Sequence, residues 1–192
     1  MKTLFLHIPK TAGSSLLSSE IGTKIDKRIH SFIGSLEDKI SEQDANNYFK
    51  FCFTRNPWDR FSSLYHYFSY MEEDHMFYKY NPSIIKVVKR YDTFEKFCLA
   101  FPQLNIKNFH FYSQCKYMYI GQKNIVDYVG AMETLGDDVE RLSEILGIEL
   151  TKNIPHANKS HSNDYRDLYS SKMKEIVKEC YADDTTLLRY TF

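Results

Sequence analysis

Thr3-Leu4-Phe5-Leu6-His7-Ile8-Pro9-Lys10-Thr11-Ala12-Gly13-Ser14-Ser15-Leu16-Leu17 is the stretch that decides the fold. Residues 3–8 form an apolar run of strand length. Residues 9–15 hold proline, lysine, glycine and small hydroxyl side chains, and Leu16, Leu17, Ile21 and Ile25 follow at helical spacing. The pattern predicts strand, tight loop, helix. Backbone N–H groups without partners at the start of such a helix, and its dipole, favour an anion, and Lys10 adds a cation beside them. By this logic the loop is a phosphate cradle; the alternative is a plain glycine turn at a helix start. It differs from the G-x-x-x-x-G-K-[ST] loop, because Lys10 precedes Gly13 by three residues and the Mg²⁺-holding hydroxyl is out of its normal place.

The same order of elements recurs downstream. Residues 48–54 read as a second apolar strand ending at Arg55. Asn56 suits an N-cap and Pro57 the first helical position, and Trp58, Phe61, Leu64, Tyr65, Phe68 and Met71 trace one helical stripe. Residues 35–47, rich in Glu, Asp and Lys, read as a surface helix. Residues 125–129 read as another strand, and Leu135, Val139, Leu142 and Leu146 as an amphipathic helix ended by Gly147 in a left-handed C-cap. Residues 151–164 read as a polar loop, and Met173, Ile176, Val177 and Cys180 begin a last helical stretch. Residues 72–115 are the least patterned, with helical character at 83–91 and 93–101. Strands alternating with helices imply an α/β protein, a three-layer α/β/α arrangement around a central, mainly parallel sheet of the P-loop NTPase-like kind.

With 192 residues, 43% of them hydrophobic, the chain has the size of a single domain spanning 1–192. Lys+Arg and Asp+Glu both total 25, so no global field draws the protein to nucleic acid or an anionic membrane, and anion specificity must be local. Cys52, Cys98, Cys115 and Cys180 form no C-x-x-C pair, which favours a reducing compartment without structural disulfides. The apolar start is far short of a signal-peptide core or a membrane span, so a soluble, cytoplasmic protein is expected. Aromatic residues make up 16% of the chain, a content better explained by core packing than by a sugar site.

Arg55-Asn56-Pro57-Trp58-Asp59-Arg60-Phe61-Ser62-Ser63-Leu64-Tyr65 puts an arginine at a strand end and Ser63 about two turns into the next helix, a pairing able to hold one phosphate from two sides. This segment resembles the 3′-phosphate motif R-x-P-x-x-R-x-x-S-x-Y of the carbohydrate sulfotransferases, and residues 8–15 resemble their 5′-phosphosulfate loop. Further similarity lies in Tyr48 to Phe51, in Val126 to Gly130 with Glu133, in Asn158-Lys159-Ser160, and in Tyr181, Asp184 and Tyr190. Together these are similar to the bacterial branch related to heparan sulfate 2-O-sulfotransferase. Ala131 stands where that pattern usually has arginine.

The resemblance implies 3′-phosphoadenosine 5′-phosphosulfate (PAPS) as co-substrate, no metal, and a carbohydrate or other hydroxylated acceptor. Lys10, Thr11, Ala12, Gly13, Ser14 and Ser15 would hold the 5′-phosphosulfate. Arg55 and Ser63 would grip the 3′-phosphate, and Lys159 and Ser160 would lie in a loop that closes over the nucleotide. Transfer to an alcohol also needs a base. His30 sits where similar glycan sulfotransferases place theirs, and it is favoured over His66 and His7; Lys10 would stabilise the leaving group. His75, His110, His156 and His161 make no convincing metal set. Asp59 and Arg60 read as exposed helical charges and Trp58 as a packing residue. Two other functions compete: a P-loop-type small-molecule kinase, and a non-catalytic nucleotide sensor. The oligomeric state is not legible.

Overall fold

The computed structural model describes residues 1–30, 38–80, 82–151 and 164–192. Its elements run β1 (Thr3–Leu6), α1 (Gly13–Leu17), β2 (Lys27–Ile29), α2 (Glu42–Asn47), β3 (Phe49–Thr54), α3 (Pro57–Ser69), α4 (Met76–Tyr80), α5 (Pro82–Val88), α6 (Phe94–Ala100), β4 (Tyr119–Ile120), β5 (Lys123–Asn124), β6 (Tyr128–Ala131), α7 (Leu135–Leu146), α8 (Ser171–Cys180) and α9 (Ala182–Leu187). Four strands form a parallel sheet in the order β2-β1-β3-β6, flanked by helices, and β4 and β5 form a separate antiparallel pair. The protein is α/β.

Two compact units share the chain: Met1–Arg55 with Tyr112–Lys159, and Asn56–Phe111 with Ser160–Phe192. The first contains the parallel sheet. Every residue of β1 is buried, as expected of a strand covered on both faces. Phe5 lies opposite Phe51 in register, and α1 and α7 supply Leu16, Leu135, Val139 and Leu142 to the same core. Gly147 ends α7 with φ 64° and ψ 42°, the left-handed cap read from the sequence. Lys50 and Asp127 tie β3 to the start of β6: the carboxylate accepts from the Lys50 amide at 2.7 Å and pairs with its ammonium at 2.8 Å.

The second unit is helical and aromatic. Phe61, Tyr65 and Phe68 of α3 pack with Phe94, Phe97, Phe111, Tyr169 and Tyr181 around one core, which absorbs much of the chain's aromatic content. Asn56 caps α3 as predicted, its Oδ1 accepting from the Trp58 amide at 3.1 Å while its Nδ2 donates to the Thr191 carbonyl at 2.8 Å. Trp58 packs inside and donates from Nε1 to the Lys174 carbonyl at 3.0 Å.

The structure departs from the sequence reading in four places. The first helix stops at Leu17 and continues as a 3₁₀ turn over Glu20–Lys24. Ser18 and Ser19 hydroxyls bond back to the Ser14 and Leu16 carbonyls and compete with the helical ladder there. The edge strand β2 was not foreseen, since two of its three residues are charged. The third apolar run enters the sheet only at Tyr128, after Ile125 has bonded to the Met118 carbonyl. Arg60, read as an exposed charge, is 1% exposed and donates from Nη2 to the His110 carbonyl at 2.8 Å.

Candidate active site

In a parallel sheet all strands end on one edge, and ligands of open α/β sheets gather outside that carboxyl edge. Three neighbouring strands end here in chemistry: β1 runs into His7 and the loop 9–15, β2 into His30, and β3 into Arg55. Adjacent strands lie about 4.8 Å apart, so three neighbouring ends span about 10 Å. The first unit thus brings together Lys10, the loop, His30 and Arg55.

The loop has an unusual backbone. Lys10 (φ 69°) and Ala12 (φ 63°) both take left-handed conformations, uncommon for side chains with a Cβ and found where surrounding structure enforces them. Two bonds do so here: the Thr11 hydroxyl donates to the Ile8 carbonyl at 2.8 Å, and Arg55 Nη1 donates to the Lys10 carbonyl at 3.2 Å. Left-handed residues in such a loop can turn neighbouring N–H groups toward a concavity, an arrangement that suits an anion. Thr11 has its hydroxyl committed, so its contribution to a ligand is its backbone amide. Ser15 is different. It is buried, and its Oγ has no hydrogen-bond partner among the described residues.

Arg55 is itself clamped. Its amide donates to Gln114 Oε1 at 2.9 Å, and Gln114 Nε2 donates to its carbonyl at 2.8 Å, a two-bond grip by a fully buried side chain. Sequence reasoning missed Gln114, whose partner is far along the chain. Burial, and then the neighbouring Arg55 guanidinium, bring the Lys10 pKa down to about 8.

His30 is half-buried, with Nδ1 3.2 Å from the His7 carbonyl. A carbonyl only accepts, so Nδ1 carries the proton and Nε2 is the basic nitrogen. Burial, aided by Arg28, lowers its pKa against the opposing effect of that hydrogen bond, so the imidazole is neutral at neutral pH. Of the other two candidates, His66 lies in the second unit and donates from Nδ1 to the Ser62 carbonyl of its own helix at 2.8 Å. His7 is buried in the first unit, with its pKa lowered to about 3.

Ser63 lies on α3 in the second unit, buried, and its Oγ likewise has no partner among the described residues. Lys159 and Ser160, with Asn158, His156 and His161, lie outside the described residues. Ala131 ends β6 and donates its amide to Asp138 Oδ2 at 3.0 Å. Among the described residues no group of three or more His, Cys, Asp or Glu side chains is placed to hold a metal ion, and no helix is long and apolar enough to cross a membrane.

Fold and site together define an α/β protein with a cationic strand–loop–helix junction on the carboxyl edge of a parallel sheet. A profile described as the sulfotransferase family matches residues 2–191, and the chain belongs to that family; it is a transferase. No curated protein matches the chain.

Proposed function

We propose that the protein transfers a sulfuryl group from PAPS to a hydroxyl of a carbohydrate or glycoconjugate, with Lys10, residues 11–15, Arg55 and Ser63 holding the donor and His30 acting as base. The observation that carries this reading concerns two serines. Among the described residues, buried side-chain polar atoms left without a hydrogen-bond partner include His7 Nδ1, Ser15 Oγ and Ser63 Oγ. An orphaned buried hydroxyl is costly and needs an explanation. Ser15 and Ser63 are the residues that the sequence motifs assign to the 5′-phosphosulfate and the 3′-phosphate, and a bound anion would give each hydroxyl its acceptor.

When bound, PAPS supplies the sulfuryl group and an adenosine 3′,5′-bisphosphate leaving group. His30 Nε2 takes the acceptor's proton as the new O–S bond forms in line with the breaking one. Lys10 and the loop amides stabilise the negative charge that builds on the bridging oxygen. Arg55 is built for the 3′-phosphate and braces the Lys10 carbonyl from the same guanidinium. Lys159 and Ser160 complete the donor side on the sequence resemblance alone. The parallel order β2-β1-β3-β6, with the anion loop after β1, supports a three-layer fold of the P-loop NTPase-like kind. One family match over residues 2–191 supports treating both units as a single sulfotransferase domain. Four free thiols, three of them buried, support a reducing, cytoplasmic setting.

Calorimetric titration with adenosine 3′,5′-bisphosphate, AMP and ATP–Mg²⁺ tests the reading. The bisphosphate is expected to bind best, and Arg55→Ala to weaken it by roughly tenfold or more, since a hydrogen bond to a charged group contributes about 1.5–3 kcal/mol. A preference for ATP–Mg²⁺, or indifference to Arg55, would instead favour a kinase.

A further inference from the structure

Among the described residues His7 Nδ1 has no hydrogen-bond partner, yet the ring is surrounded by parts of the proposed site. Residues two apart on a strand share a face, so Phe5 and His7 point the same way. Their rings stack at 5.1 Å and 12°, Phe51 continues the stack behind Phe5 at 5.0 Å and 16°, and His30 continues it in front of His7 at 4.1 Å and 31°. Pairwise ring contacts therefore run from the core through Phe5 and His7 to the proposed base. The His7 backbone joins the same assembly, its amide donating to the Ile29 carbonyl at 2.8 Å and its carbonyl accepting from His30 Nδ1. On its remaining side the ring presses on the loop: a Cβ built on Gly13 would lie 1.9 Å from His7 Nε2 and 2.2 Å from Cδ2. Gly13 is thus a glycine because an imidazole occupies the place of its side chain.

We propose that His7 is a positioning residue of the transfer site: its ring is the spacer that sets Gly13 of the donor loop and the ring of His30 against each other. The inference rests on the reading of residues 9–15 as the donor loop and His30 as the base. A neutral ring suits this place, because a charged one would repel the cation that His30 becomes during each transfer. Burial keeps His7 neutral throughout the physiological range. Among the described residues, Arg28 on β2 acts electrostatically on the His30 ring, and the Tyr117 hydroxyl donates to the His30 carbonyl at 3.3 Å.

Two measurements test the assignment, and neither uses nucleotide. Histidine side-chain NMR titration is expected to show wild-type His30 as the Nδ1–H tautomer with a midpoint below 6.5. In His7→Ser, which admits water in place of the ring, the midpoint is expected to rise by about half a unit or more and the tautomer preference to weaken. His7→Thr, β-branched and suited to a strand end, carries the same measurement if the serine variant unfolds. In thermal unfolding, Gly13→Ala is expected to lower Tm by about 3 °C or more, and adding His7→Ser to recover much of that loss by vacating the space. An unmoved His30 titration, or losses that simply add, would overturn the assignment. Failure of the wild type to bind adenosine 3′,5′-bisphosphate would instead sink the donor reading, while these two results would still stand or fall on His7.

Discussion

Lys10 lies half-buried beside Arg55, with its pKa brought down to about 8 from 10.5, so at neutral pH it is charged but close to release. A bound bisphosphate would favour the ammonium and raise that pKa again. Binding is then expected to take up a proton above pH 8 and to weaken by up to about tenfold per pH unit there. Calorimetry in buffers of different ionisation enthalpy reads the uptake directly, and Lys10→Arg, charged throughout, should abolish it. For folding alone the sign is as follows. The unfolded chain holds the proton more tightly, so the folded state bears the cost of a charged Lys10 below pH 8 and is relieved of it as pH rises from about 8 to 10.5. The motif made Lys10 and Arg55 legible as cations at strand ends. Their mutual contact, and the brace from Arg55 to the Lys10 carbonyl, come from the pairing of β1 with β3, which no spacing within either motif encodes.

Elements were legible where local chemistry agreed with burial. The runs that became β1 and β3 are apolar because both faces are covered, and Asn56-Pro57 announced α3 because cap chemistry is local. β2 was hidden by Lys27 and Arg28, which an edge strand tolerates, and its loss from the sequence reading put His30 after a helix instead of at the end of a strand neighbouring β1. Gln114 was hidden for another reason: it sits in the least patterned stretch, and its role is a grip on a peptide 59 positions away. The α3 cap offers an element-scale test, since Asn56 both accepts from Trp58 and donates to Thr191. Asn56→Ala is expected to lose about 1–2 kcal/mol in urea unfolding. Asn56→Asp should lose less, because a carboxylate still accepts the Trp58 amide and suits the positive helix end. Equal losses would assign most of the energy to the Thr191 tie.

At the scale of the molecule, a net charge of zero gives no long-range attraction for an anion, so any affinity for one must be local. The residues proposed to hold the donor are Lys10, Ser15 and Arg55, which lie in the first compact unit, and Ser63, which lies in the second. Each unit has its own core, the first around Phe5, Phe51 and Phe53, the second around Phe61, Phe97 and Tyr181, and so has its own stability against local opening. Hydrogen exchange with and without adenosine 3′,5′-bisphosphate can therefore test the residue roles unit by unit. If the assignments hold, amides of residues 9–15 and those around Ser63 in the first two turns of α3 slow together on addition of the bisphosphate, and Arg55→Ala reduces both effects. AMP, which lacks the 3′-phosphate, is expected to protect the loop while leaving α3 unchanged. Protection confined to the first unit with both ligands would remove Ser63 from the site and leave its buried hydroxyl without the role that the motif gives it.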